Sequence, residues 1–178
     1  MAKTPSGTPE PGLIPIHDIP PTATLRRKFA AFLWTSTVVL VRHAERGAGA
    51  DPALTAAGQA RAALLAQMLQ DAALSAVFVT DTQRSRQTGT PAATGAGVAL
   101  TQYDATDAAA LAAAIRAGHP GRSVLVVAHS NTVDDIATAL GAAGVAELTD
   151  AQFDRMFVIM RSWCGTRLLR LRFGAPTP

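Results

Sequence analysis

The sequence predicts an α/β domain of the three-layer α/β/α sandwich type, with a mostly parallel central sheet. Three observations carry this. Short, continuous, β-branched apolar runs recur along the chain: Thr37–Val41 (TVVLV), Ala76–Thr80 (AVFVT) and Ser123–Ala128 (SVLVVA). Runs of that kind, apolar on both faces, are what strands of a covered parallel sheet require. Stretches of helical spacing separate them, and strands alternating with helices imply a sheet with helices on both faces.

Each element has a local reason. Residues 1–24 contain Pro5, Pro9, Pro11, Pro15, Pro20 and Pro21, too many missing donors for a regular ladder, and read as an extended arm or linker. The domain is expected over 25–178. Its opening, Leu25–Val41, pairs basic residues with an apolar run and so imitates a signal peptide. It runs straight into the next motif without a small-residue cleavage site, and is read as part of the domain. After TVVLV, Thr55 is placed to cap a helix in which Leu64, Leu65, Met68 and Leu69 recur at helical spacing. AVFVT leads into a helix from Arg84 to about Thr94, interrupted by Pro91. Val98–Gln102 is a weaker strand, followed by a helix over Asp107–Ala117 that Gly118 ends. SVLVVA leads into a helix over Thr132–Leu140, closed by Gly141. Met156–Met160 and Arg167–Phe173 are two late strands joined near Ser162–Gly165; the second alternates Arg with Leu and belongs near a sheet edge.

Composition narrows the function. With 178 residues, 48% hydrophobic and 16% charged, the chain suits one globular domain. The net charge of +3 comes almost wholly from scattered arginines. A nucleic-acid surface would need a basic stripe, so no nucleic-acid partner is expected. Cys164 is the lone cysteine, which excludes an internal disulfide and fits a reducing, cytoplasmic setting, with an exported form as the alternative. No apolar run approaches the ~20 residues of a transmembrane helix. Nothing sets an oligomeric state.

In open α/β sheets, ligands bind beyond the carboxyl ends of the strands. TVVLV runs directly into Arg42-His43, and SVLVVA into His129-Ser130-Asn131. Two of the chain's four histidines thus end its two most apolar strands. A single histidine there is most simply a polar residue satisfied by nearby backbone; the doubling, beside Arg42, points to a site. His17, in the arm, and His119, in a Gly/Pro turn, are peripheral. Arg84 follows a third strand end and opens a helix, where backbone N–H groups also favour anions. Guanidinium groups present planar forks suited to phosphate oxygens, so this edge reads as an anion pocket. A metal site is the rival, but the chain has no H-x-H or H-E-x-x-H spacing and Arg42 would repel a cation. No metal and no cofactor are expected.

These residues resemble the histidine phosphatase (phosphoglycerate mutase-like) superfamily. VLVRHAERG matches its Arg-His signature, LTAAGQARA (Leu54 to Ala62) its second stretch, Arg84-Ser85-Arg86-Gln87-Thr88 its Arg-x-x-x-Thr segment, and VAHSNTV its second histidine. The four occur in order between Thr37 and Leu140, in forms closest to small bacterial members, including the phosphohistidine phosphatase-like group. The resemblance implies a phosphoglycerate mutase-like fold and a phosphatase that hydrolyses phosphomonoesters or phosphohistidine. Its covalent phosphohistidine would form on His43, with Arg42, Arg84, a protonated His129, Ser130 and Asn131 around the phosphate. The substrate would be a phosphorylated small molecule or a phosphoprotein. Ala44 stands where glycine is common, and Arg46-Gly47-Ala48 lacks the Asn of the mutases. A mutase and a catalytically silent phosphate-binding domain stay as alternatives. For the proton donor, the family's spacing suggests Asp104 or Asp107, with Asp104 first because Asp107 suits a helix cap; Glu45, two residues from His43, is a further candidate.

Overall fold

The computed structural model describes residues 35–178; the proline-rich arm, with His17, and the expected domain's first residues, 25–34, lie outside the described residues. In chain order the elements are β1 (Ser36–Arg42), α1 (Ala56–Met68), β2 (Leu74–Val79), α2 (Gln83–Ala96), β3 (Leu100–Gln102), α3 (Ala108–Gly118), β4 (Ser123–Ala128), α4 (Val133–Ala139), β5 (Arg155–Ser162) and β6 (Gly165–Arg172). One sheet holds all six strands in the order β3-β2-β4-β1-β5-β6. The first four are parallel, while β5 runs antiparallel to β1, and β6 antiparallel to β5. The arginine-bearing strand is the edge, as its alternation implied.

Strand alternation divides the core in two. Val38, Leu40, Phe78, Val124 and Val126 face Leu111 and Ile115 of α3 and Val133 and Ile136 of α4. Val39, Val41, Val77, Val79, Leu125 and Val127 face Leu65 of α1 and Ala92 and Ala93 of α2. Each such side chain, removed from water, contributes ~1.5–3 kcal/mol. The many alanines let helix backbones lie close on the sheet.

Local signals account for the helix ends. Thr55 Oγ1 accepts from Gly58 N at 3.2 Å, and Asp107 Oδ1 accepts from Ala110 N at 2.8 Å. Gly97, at φ +66°, ends α2 in a conformation that glycine adopts without strain. One expectation needs correction. Pro91 does not interrupt α2, which runs through it to Ala96; the helix forgoes one hydrogen bond, and packing on the sheet holds it. Met68 ends α1 with 48% of its surface exposed.

Candidate functional site

The site begins with one register. β1 and β4 are direct neighbours with Arg42 opposite Ala128, and the pairing continues one residue further, His43 N donating to Ala128 O at 2.9 Å. His43 and His129 therefore leave the sheet side by side, with ring centroids 5.3 Å apart and planes at 62°. β2, on the other side of β4, brings Thr80 and then the start of α2 to the same edge. A cavity of about 520 Å³ opens there, and Arg42, His43, Arg46, Arg84, His129, Ser130 and Asn131 are among the residues lining it.

His43 is 3% exposed. Its Nδ1 lies 2.9 Å from Ala44 O; a carbonyl only accepts, so Nδ1 carries the proton and Nε2 keeps the lone pair. Burial pushes the imidazole down to about 3 against the pull of the Ala44 carbonyl, and the charges of Arg42, His129 and Arg84 add to the effect. The ring is thus neutral near neutrality. Thr88, the Thr of the Arg-x-x-x-Thr segment, fastens the turn behind it: Thr88 Oγ1 accepts from Ala44 N at 3.0 Å and donates to Arg84 O at 2.8 Å. That buried link, with Ala44 itself 1% exposed, leaves little room beyond a small residue.

His129 pairs its Nε2 with Thr80 Oγ1 at 2.9 Å. Burial, then Arg84, Arg42 and Arg46, lower it to about 4. At that value the His129 ring is neutral near neutrality. The same arginines that lower it would be offset by a dianion among them.

Arg42 is 3% exposed and held by the α4–β5 connection. Its Nη1 donates to Thr149 O at 2.8 Å and Gln152 O at 3.4 Å, its Nη2 to Asp150 Oδ1 at 3.3 Å, and its guanidinium lies 4.2 Å from the centre of the Phe153 ring. Arg84 is held more loosely, Nη1 lying 3.5 Å from Asp51 Oδ1, while Asp51 also accepts from Gln83 N at the start of α2. Three buried nitrogens of this cluster, Arg42 Nε, Arg84 Nε and His129 Nδ1, have no hydrogen-bond partner among the described residues. Buried polar groups are ordinarily paired. Guanidinium donors converging on one hollow suit an oxyanion.

The carboxylates expected to supply a proton, Asp104, Asp107 and Glu45, are each engaged by neighbouring groups and are not among the residues lining the cavity. Asp104 Oδ1 accepts from Thr106 N at 2.8 Å and Thr106 Oγ1 at 2.7 Å, bonds that hold its carboxyl below the usual range. Asp107 caps α3. Burial raises the Glu45 carboxyl, but the hydrogen bonds of Arg61 outweigh this and leave it lowered. Arg61 grips it through Nε at 3.0 Å and Nη2 at 2.7 Å, and also donates to Phe173 O and Ala175 O. Of the cavity lining, the β3–α3 loop contributes Ala105 and Thr106, and the carboxylates present are Asp135 and Asp150. Thr80, Arg46, Asp150 and Phe153 were not singled out from the sequence. Thr80 closes an apolar run, which is a usable signal; Asp150 and Phe153 sit in a loop far along the chain with none.

Residues 38–107 match the family model of the histidine phosphatase superfamily, branch 1. No curated protein matches the chain. Among solved structures, SixA from Nakamurella multipartitia is similar at 23% identity and TM-score 0.59, covering 79% of this chain and 98% of that one. The protein histidine phosphatase SixA complexed with tungstate is similar at 19% identity and TM-score 0.59, covering 76% and 96%. A mycobacterial glucosyl-3-phosphoglycerate phosphatase is similar at 15% identity and TM-score 0.62, covering 80% and 100%. The fold is thus the phosphoglycerate mutase-like one. The family match falls on the segment that bears Arg42, His43 and Arg84.

Proposed function

We propose that the protein is a metal-independent phosphatase that hydrolyses phosphomonoesters or phosphohistidine through a covalent phosphohistidine on His43. The observation that carries this is the neutral, backbone-oriented His43 ring, 5.3 Å from His129, in a hollow bordered by two guanidinium groups with buried, unpaired Nε atoms. A neutral imidazole with a free Nε2 is a nucleophile. Phosphoryl transfer spreads charge over three equatorial oxygens, so fixed cations around them supply most of the rate. Arg42 and Arg84 are those cations, joined by His129 once the dianion draws a proton onto it, with Ser130 and Asn131 as further donors at the rim. Water then releases phosphate from His43.

The substrate is a phosphorylated small molecule or a phosphoprotein. The structural neighbours include both kinds, a protein histidine phosphatase and a phosphosugar phosphatase. The test is turnover of p-nitrophenyl phosphate and of a phosphohistidine peptide by the wild type and by His43→Ala. Acid quenching of the wild type should leave an acid-labile, alkali-stable phosphoryl group on the protein, absent from the variant. Unimpaired turnover by His43→Ala would end the reading.

A further inference from the structure

We propose that Asp150 is the general acid of the reaction, giving its proton to the bridging oxygen of the departing group; this rests on the phosphatase reading above. Among the described residues, the carboxylates lining the cavity are Asp135 and Asp150. Asp150 is the one joined to the phosphate cradle: its Oδ1 lies 3.3 Å from Arg42 Nη2 and 3.4 Å from Ser130 Oγ. The loop that carries it is fastened by the same guanidinium, through the carbonyls of Thr149 and Gln152, and Thr149 N donates to Gln152 Oε1 at 3.1 Å. A phosphate on Arg42 is therefore one guanidinium away from this carboxyl. Its side chain is 91% exposed and free to turn from Arg42 towards a ligand.

Direction agrees with distance. In-line displacement sets the leaving oxygen opposite the attacking nitrogen. His43 is buried at the floor, so the leaving group departs through the open side, where Asp150 stands. A substrate monoanion first passes its proton to the Asp150 carboxylate and settles as a dianion against the guanidiniums. As the P–N bond to His43 Nε2 forms and the P–O bond breaks, the Asp150 proton moves to the departing oxygen and an alcohol leaves. In the second half, water gives a proton to the Asp150 carboxylate while its oxygen attacks phosphorus and the P–N bond breaks. Neutral His43 results, and Asp150 returns its proton to the phosphate, which leaves as the monoanion and restores the carboxylate.

The experiment compares the wild type, Asp150→Asn and Asp150→Glu on p-nitrophenyl phosphate, whose leaving group is weakly basic, and on a series of alkyl phosphates. General acid catalysis is worth ~10²–10⁴ where the leaving group needs a proton. Asp150→Asn should therefore lose about 100-fold or more in kcat/KM on alkyl phosphates but less than about 10-fold on p-nitrophenyl phosphate. The plot of log rate against leaving-group basicity should steepen, and Asp150→Glu should recover part of the loss. Equal losses on all substrates would make Asp150 a support for Arg42 and overturn the proposal. A gain in rate would make it a competitor of phosphate and overturn it equally. If Asp150→Asn behaves as the wild type while His43→Ala is dead, the phosphatase reading stands and the acid is elsewhere. A wild type inactive on every substrate would remove both.

Discussion

The burial that keeps His43 nucleophilic has a cost in stability that can be measured without any substrate. His43 is lowered to about 3 and His129 to about 4 in the folded protein, whereas an unfolded histidine titrates near 6.5. Below that pH the unfolded chain binds protons that the folded chain refuses, so stability falls as pH falls from 7 to 5. At pH 5 a histidine that is protonated only on unfolding favours the unfolded state by about 2 kcal/mol, against a few tenths at pH 7. That amount is set by the unfolded value of 6.5, because both folded values lie beneath the window. The depressed carboxylates, Glu45, Asp104 and Asp154, stay ionised throughout it. His43 thus accounts for about 2 kcal/mol between pH 7 and pH 5 and His129, more open to solvent, for less, out of a total stability of order 5–15 kcal/mol.

Urea unfolding at the two pH values, in buffers free of phosphate and sulfate, reads this directly. With a slope of about 2 kcal/mol per molar, the wild-type midpoint should drop by ~1 M or more. His43→Asn has no imidazole to protonate there, so its midpoint should fall by about 1 M less across the same interval, whatever its stability at pH 7. Identical drops for the two proteins would show that His43 is not desolvated in the folded state, and the account of its nucleophilicity would go with it.

Two further substitutions test the frame around the site. A Cβ on Gly58 would lie 2.1 Å from Glu45 O and 3.0 Å from Glu45 C, backbone that must then move; Gly58→Ala should cost about 1–3 kcal/mol and lower kcat/KM by shifting the turn behind His43, seen by thermal melting and steady-state kinetics. Glu45→Gln leaves the Arg61 guanidinium, 4% exposed, without its counter-charge and should cost about 3 kcal/mol, a fall in Tm of roughly 6–12 °C; an unchanged Tm would show that the pair is not structural.

The sheet, the edge position of the Arg-Leu strand and the two histidine-bearing strand ends were legible because each depends on local pattern. Burial on both faces makes β1, β2 and β4 continuous apolar runs, and the polar residue that ends such a run lies at the carboxyl rim. Thr55 and Asp107 were readable as caps for the same reason. Pro91 was misread because a lost hydrogen bond inside a helix is tolerable when the sheet holds the helix from one side.

What stayed hidden is long-range. Arg42 is oriented by carbonyls more than a hundred residues along the chain, from a loop of ordinary polar residues with no pattern of its own. Glu45, which its nearness to His43 made a candidate acid, spends its charge on Arg61. Sequence proximity to a nucleophile is a poor guide to proton transfer, because a side chain two positions on is turned by the next element's packing. Here Gly58 and Arg61 of α1 draw Glu45 under the turn, and the rim is left to residues of the α4–β5 connection. A phosphate pocket of this design therefore rests on strand ends that local pattern marks and on a β1–β4 register that only the folded chain shows. The groups that would decide which leaving group it accepts belong to loops whose approach only the folded chain reveals.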